Sequence, residues 1–235
     1  VRLTLDTREV GRVTIVSCNG RIIAGGESES LLKHVTWLLR DRRAIVLHLG
    51  EVEFVDSSGL GAMVRSLTST RQVRGDLKLC NVPDRIRKVL QLSQLTKLFD
   101  THESEETAVA SFYRPGAPTE AAAPTGRSVL CLDTNADVLA YLRELLLRAG
   151  HHVHTTSRRS DALMLMRVTK FDLLLIGPDV TTTSSTASGT HQAFEAAAAR
   201  LPVIELGSEF STLDAGEACA GLLEKIEACL KQKSA

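Results

Sequence analysis

The sequence predicts an α/β protein made of two wound units, and three observations predict it. Continuous apolar runs such as AIVLHLG (44–50) and FDLLLIG (171–177) read as strands covered on both faces. These runs alternate with stretches whose apolar residues recur at helical spacing. The alternation is interrupted once, by RPGAPTEAAAPTGR (114–127), which holds three of the six prolines and reads as a semi-extended linker. The stretches on either side, 1–113 and 128–235, each have the size of an ordinary domain.

In the first stretch, LTLDTREV and RVTIVSC alternate as strands do, and Asn19-Gly20 is a turn signal. Leu31, Leu32, Val35, Leu38 and Leu39 make a helical stripe, with Ser28 or Ser30 as its cap. AIVLHLG is the third strand. Leu60, Met63, Val64 and Leu67 form a second helical stripe, and LKLCNV (77–82) another buried strand. Pro83 opens a third helix bearing Ile86, Val89 and Leu90, and 103–113 reads as a last, acidic helix. This order implies a mixed sheet with parallel members, covered by helices.

The second stretch alternates in the same way. SVLCLD (128–133) is a strand, followed by a helix with Val138, Leu139, Leu142, Leu145 and Leu146 that Gly150 closes. HHVHTT (151–156), FDLLLIG and PVIEL (202–206) are strands. Helices fall at 159–169, 190–200 and about 215–232. The order βαβαβαβα is that of an open doubly wound sheet. VTTTSSTASGT (180–190) reads as a polar, low-complexity loop.

Composition narrows the function. The chain has 235 residues, 43% of them apolar, with 28 basic and 28 acidic side chains. No half is strongly basic, so nucleic acid is not an expected partner. Cys18, Cys80, Cys131, Cys219 and Cys229 are scattered without a CxxC pair, which argues against a disulfide framework or a metal cage. No apolar stretch reaches the roughly 18 residues that span a bilayer, and no signal peptide is evident, so a reducing cytoplasm is the expected home. GxGxxG and GxxxxGK loops are absent, and Ser57 has no evident histidine base at motif spacing. Neither an enzyme nor a cofactor is expected.

The informative stretch is EFVDSSGLGAM (53–63). Asp56, Ser57, Ser58 and Gly59 stand where an apolar strand turns into a helix, at the strand's carboxyl end. By spacing alone, Asp or Ser is an N-cap and Gly59 allows close packing. The same place also tolerates an anion, because the first-turn N–H groups have no intrahelical partner. A serine here can carry a phosphate without loss of the fold.

Residues 1–113 resemble a STAS domain, the fold of bacterial anti-sigma factor antagonists. The resemblance rests on VTIVSCNGRIIAGG followed by AIVLHLGEVEFVDSSGLGAMV. It implies that a partner anti-sigma factor, itself a serine kinase holding the ATP, phosphorylates Ser57, and that a phosphatase resets the switch. The unmodified chain would bind that partner, and the phosphorylated chain would release it. Asn19, Gly20, Asp56, Ser57, Ser58, Gly59 and Gly61 then belong to the docking face. Ser58 would cap the helix, and Gly59 and Gly61 would let a partner backbone approach. A second copy of the chain is a further partner. The family's acidic residues near positions 24 and 48 are Ala24 and His48 here. The alternative is therefore a STAS scaffold that assembles without being phosphorylated.

Residues 128–235 look like a response-regulator receiver, on VLCLDTNADVLAYLRELLLRAGHHVHTT and FDLLLIGPDV. The resemblance also implies that its chemistry is lost. The Mg²⁺-binding acidic pair is reduced to Asp133 followed by Thr134. Gly177 stands where the phosphoacceptor would be, with Asp179 two residues on, and Gly207 replaces a hydroxyl residue. The span after PVIELG is too short for another helix and strand. A degenerate, flavodoxin-like pseudo-receiver lacking one α/β element is expected.

Overall fold

The computed structural model describes residues 2–113, 126–177, 180, 189–207, 222–226 and 228–229. It divides into two compact units, Val1–Ala121 and Ala122–Ala235. Of the expected linker, only Gly126 and Arg127 are described; Asp179, Cys219 and most of the 180–190 stretch lie outside the described residues.

The first unit runs β1 (Thr4–Val10), β2 (Val13–Ile22), α1 (Gly26–Leu38), β3 (Ala44–Val55), α2 (Ser57–Gln72), β4 (Asp76–Cys80), α3 (Asp84–Leu92), β5 (Asp100–His102) and α4 (Glu105–Phe112). Its strand order is β5-β4-β3-β2-β1. The β1–β2 pair is antiparallel and the others parallel. The periodic apolar residues go where their spacing demands. Leu31, Val35 and Leu38 of α1, Met63 and Leu67 of α2, and Ile86 and Leu90 of α3 cover Ile45, Leu47, Leu77 and Leu79 on one face of the sheet. On α4, Ala108, Val109 and Phe112 are buried, and Lys78 of β4 places its ammonium 4.8 Å from the Phe112 ring centroid. Arg12, in the β1–β2 turn, holds the end of α4. Its guanidinium donates to the Phe112 carbonyl and lies 4.6 Å from the centre of the Tyr113 ring.

Asn19-Gly20 is not a turn. Both residues lie within β2, flanked by register irregularities against β3. Gly20 sits at φ 106, and a Cβ there would stand 2.5 Å from the Arg2 carbonyl oxygen. The glycine serves a bulge, where the left-handed backbone and the close approach of the chain's start both exclude a side chain. The hairpin turn is made instead by Gly11 and Arg12, with Gly11 at φ 62, a two-residue loop of the glycine-first kind. Ser28 and Ser30 do not cap α1; Gly25 occupies that position at φ 101 with no side-chain cap, and the Ser28 hydroxyl donates to the Gly25 carbonyl. β3 is longer than the apolar run suggested, extending to Val55 because its second half pairs with Asn19–Ile22 of β2. β5 has three residues and no apolar run of its own.

The second unit runs β6 (Ser128–Leu132), α5 (Ala136–Arg148), β7 (His152–Thr156), α6 (Arg159–Val168), β8 (Leu173–Ile176), α7 (Gly189–Ala198) and β9 (Val203–Glu205), with residues 222–226 also helical. The strands are parallel in the order β7-β6-β8-β9. Val138, Leu142 and Leu146 of α5 pack with Val129, Cys131, Leu173, Leu222 and Ile226. Alternate strand residues Leu130, Leu132, Leu174 and Ile176 are also buried, as are Ala162, Leu165 and Phe194 of α6 and α7. α5 ends as its glycine foretells: Gly150 at φ 83 donates to Leu147 O at 3.0 Å, and His151 donates to Leu146 O at 3.0 Å, the paired bonds of a Schellman closure.

Candidate functional site

The turn from β3 into α2 is organised by one carboxylate. Asp56 is the N-cap of α2, and its Oδ1 accepts the Gly59 N–H at 2.8 Å. Its Oδ2 accepts the Ala24 N–H at 2.8 Å, from the loop between β2 and α1. The Asp56 N–H in turn donates to Ile22 O at 3.2 Å. The aspartate thus closes one helix end and ties the neighbouring loop to it. Ser58 is not the cap, and Ala24, which stands where the resembling family has an acidic residue, contributes its backbone amide. The bonds from Gly59 and Ala24 hold the Asp56 carboxyl below its usual range. A depressed carboxyl pKa contributes stability above the unfolded value of about 3.9 and loses it as pH falls through the folded value. The stability gap between wild type and Asp56→Asn is therefore expected to be full near neutral pH and to shrink below about pH 4. Urea titrations at several pH values measure it, and a gap that widens on acidification would contradict this role.

Ser57 is exposed and Ser58 half-buried, both in the first turn of α2. Gly59 is buried, and a Cβ on it would stand 2.1 Å from Ile22 O. Its glycine seats α2 against β2 within the chain, which corrects the expectation that it admits a partner. Gly61 is half-buried, and a Cβ there would meet only Arg65 Nη1, at 3.4 Å. Asn19 is exposed on β2, and Gly20 is committed to its bulge. Near this turn Phe54 is 48% exposed, its ring paired with the Arg21 guanidinium at 5.6 Å. The sequence reading missed this pair, although EFVD carries an aromatic directly before the turn.

His48 belongs elsewhere. Its Nδ1 accepts the Gly50 N–H at 3.3 Å, and its Nε2 lies 3.9 Å from Glu105 of α4, which also pairs with Arg8 at 2.5 Å.

In the second unit, Asp133 is 1% exposed at the carboxyl end of β6, with Oδ1 accepting the Asn135 N–H at 2.6 Å. A Cβ on Gly177 would lie 1.4 Å from Asp133 Oδ2. The Asp133 carboxylate fills the room that a side chain at 177 would need. Thr134 is exposed. Among the described residues, no group of three or more His, Cys, Asp or Glu could hold a metal ion, and no helix is long and apolar enough to cross a membrane. Cys18, Cys80 and Cys131 are buried, and burial pushes each thiol up to about 12, so they pack as small apolar groups.

Residues 4–108 match the STAS domain family. The chain is 27% identical over 113 residues to the "Putative anti-sigma factor antagonist BtrV" of Bordetella bronchiseptica, a match covering 48% of this chain and 95% of that protein. It is 32% identical over 65 residues to the anti-sigma F factor antagonist of Paenibacillus polymyxa, covering 28% of this chain and 56% of that protein. Among solved structures, the anti-sigma factor antagonist SpoIIAA in its unphosphorylated form is 18% identical, with a TM-score of 0.39, over 48% of this chain and 99% of that one.

Proposed function

We propose that a chain whose residues 4–108 are a STAS domain acts as an anti-sigma factor antagonist, switched by phosphorylation of Ser57. The observation that carries this reading is the division of labour at the head of α2. Asp56 satisfies the Gly59 and Ala24 amides, so the exposed Ser57 hydroxyl is not needed to hold the helix. A modifiable group and a structural group stand side by side. Phosphorylation adds a charge of about −1.5 to −2 next to a carboxylate that is already ionised. The fold tolerates that charge at a helix N-terminus. A partner docking there would have to desolvate two like charges, which costs affinity.

The partner in this reading is an anti-sigma factor with serine kinase activity. The kinase binds the ATP, so this chain supplies no catalytic base and is not an enzyme. A phosphatase resets Ser57, and the reaction takes place in the cytoplasm. The names of the relatives from Bordetella and Paenibacillus support the antagonist role. The second unit is, in this reading, a pseudo-receiver that takes neither Mg²⁺ nor phosphate. Ala24 and His48 favour a second reading, a scaffold that binds without modification, because two carboxylates of the resemblance are missing.

The test is incubation of the chain with ATP and each serine-kinase anti-sigma factor of its own genome, followed by mass-spectrometric mapping. Phosphate on Ser57, absent from Ser57→Ala, is the expected result. Tight binding with no modification would replace the switch by the scaffold. Ser57→Ala is expected to keep the wild-type thermal midpoint, since the change is exposed and within about 0.5 kcal/mol.

A further inference from the structure

Arg65 stands on the same helical stripe as Ser57. Residues 57, 61 and 65 follow one another at intervals of four on α2, so they lie one above the other on one face. Arg65 is exposed, yet its guanidinium is folded back along the helix. A Cβ on Gly61 would stand 3.4 Å from Arg65 Nη1, so the cation lies over the bare backbone of residue 61. Long helical side chains lean towards the N-terminus, and that is the direction of Ser57.

The charges on α2 make this cation conspicuous. SSGLGAMVRSLTSTRQ contains no carboxylate and two arginines. Arg71 has a partner, Asp76 at 3.5 Å. Arg65 makes no hydrogen bond or ion pair with any described residue. A guanidinium offers a planar fork of donors suited to phosphate oxygens. One turn of helix, about 6 Å, separates residue 61 from residue 57, a gap that a phosphoserine side chain and the flexible Arg65 side chain close from its two ends.

We propose that Arg65 is the intramolecular counter-ion of phosphorylated Ser57, its guanidinium already lying over Gly61 on the way to the head of the helix. The inference rests on Ser57 being the modified residue. It adds what the phosphate engages: a cation of this chain, drawn along α2 to its head. In the unmodified chain Arg65 remains available to a partner's acidic groups. In the modified chain it is occupied, so the phosphate withdraws an attraction as well as adding a repulsion. Arg65 is a positioning residue here, since it acts through the phosphate.

The experiment uses the full chain with phosphoserine installed at position 57 during translation, so it does not depend on any kinase. The second ionisation of the phosphate is followed by ³¹P NMR as a function of pH in wild type, Arg65→Lys and Arg65→Ala. Wild type is expected to titrate about 0.2–0.7 of a unit lower than Arg65→Ala, the scale of a single exposed ion pair. The difference should fall in 1 M salt. Arg65→Lys should recover part of it. All three residues at position 65 are exposed, and circular dichroism confirms that each variant is folded. Identical titration curves for wild type and Arg65→Ala would overturn the proposal. Failure of every kinase to modify Ser57 would instead remove the switch and leave this measurement standing.

Discussion

Gly59→Ala is expected to destabilise the first unit by about 2–4 kcal/mol, a shift of about 10 °C or more in its thermal midpoint. The added methyl would stand 2.1 Å from Ile22 O and 3.0 Å from a Val55 methyl, so backbone must move. The movement has nowhere to go cheaply. Ile22 O already accepts the Asp56 N–H, and Gly59 N–H is one of the two amides that Asp56 caps. Displacing residue 59 therefore disturbs the cap, the β2 terminus and the seat of α2 together. Gly61→Ala, two residues on, is the control. Its methyl meets only the end of a flexible arginine, and alanine gains up to about 1 kcal/mol of helix propensity over glycine. Thermal unfolding of the two variants should move in opposite directions, or at least differ by several degrees. Equal midpoints would show that the two glycines do the same thing.

Gly177→Asp is expected to cost the second unit about 3–5 kcal/mol, the scale set by an uncompensated buried charge. Its Cβ would overlap Asp133 Oδ2, which lies 1.4 Å from that position, and Asp133 is 1% exposed. Two carboxylates cannot share the space, and expelling Asp133 breaks its bond to the Asn135 N–H. An aspartate introduced at this strand end should therefore not confer phosphoryl acceptance. Incubation with Mg²⁺ and acetyl phosphate, read by intact mass, is expected to leave both wild type and the variant unlabelled. A stable Gly177→Asp protein that takes up phosphate would show that the site is dormant, and that the crowding at Asp133 does not block it.

The parts of the fold that sequence conveys well are those where one periodicity dominates. The stripe Leu60, Met63, Leu67 gives α2 and its buried face, and AIVLHLG gives β3, because burial on one side or both leaves a plain hydrophobic pattern. Gly150 marks the end of α5 because a left-handed closure needs it. What failed to show was tertiary in origin. Asn19-Gly20 has turn chemistry, but the close approach of Arg2 spends the glycine on a bulge inside β2. β5 consists of Asp100, Thr101 and His102, which carry no strand signal and pair with β4 only because the sheet edge is there. At the site, the position of Asp56 was readable as a cap, but not its second bond to Ala24, which joins residues 32 apart. His48 stood out only as a departure from the resemblance, and its approach to Glu105 of α4 joins residues 57 apart. The passage of Arg65 over Gly61 depends on side-chain direction, which spacing suggests and only coordinates supply.

The most direct test of the switch at Ser57 is the affinity of one partner for two forms of one chain. A kinase-type anti-sigma factor of the same genome is titrated calorimetrically, without ATP, against the unmodified chain and against the chain carrying phosphoserine at position 57. The unmodified chain is expected to bind, and the phosphoserine form to bind about 30- to 100-fold more weakly, a difference of roughly 2–3 kcal/mol. Equal affinity for the two forms would contradict the claim that charge at the head of α2 decides docking.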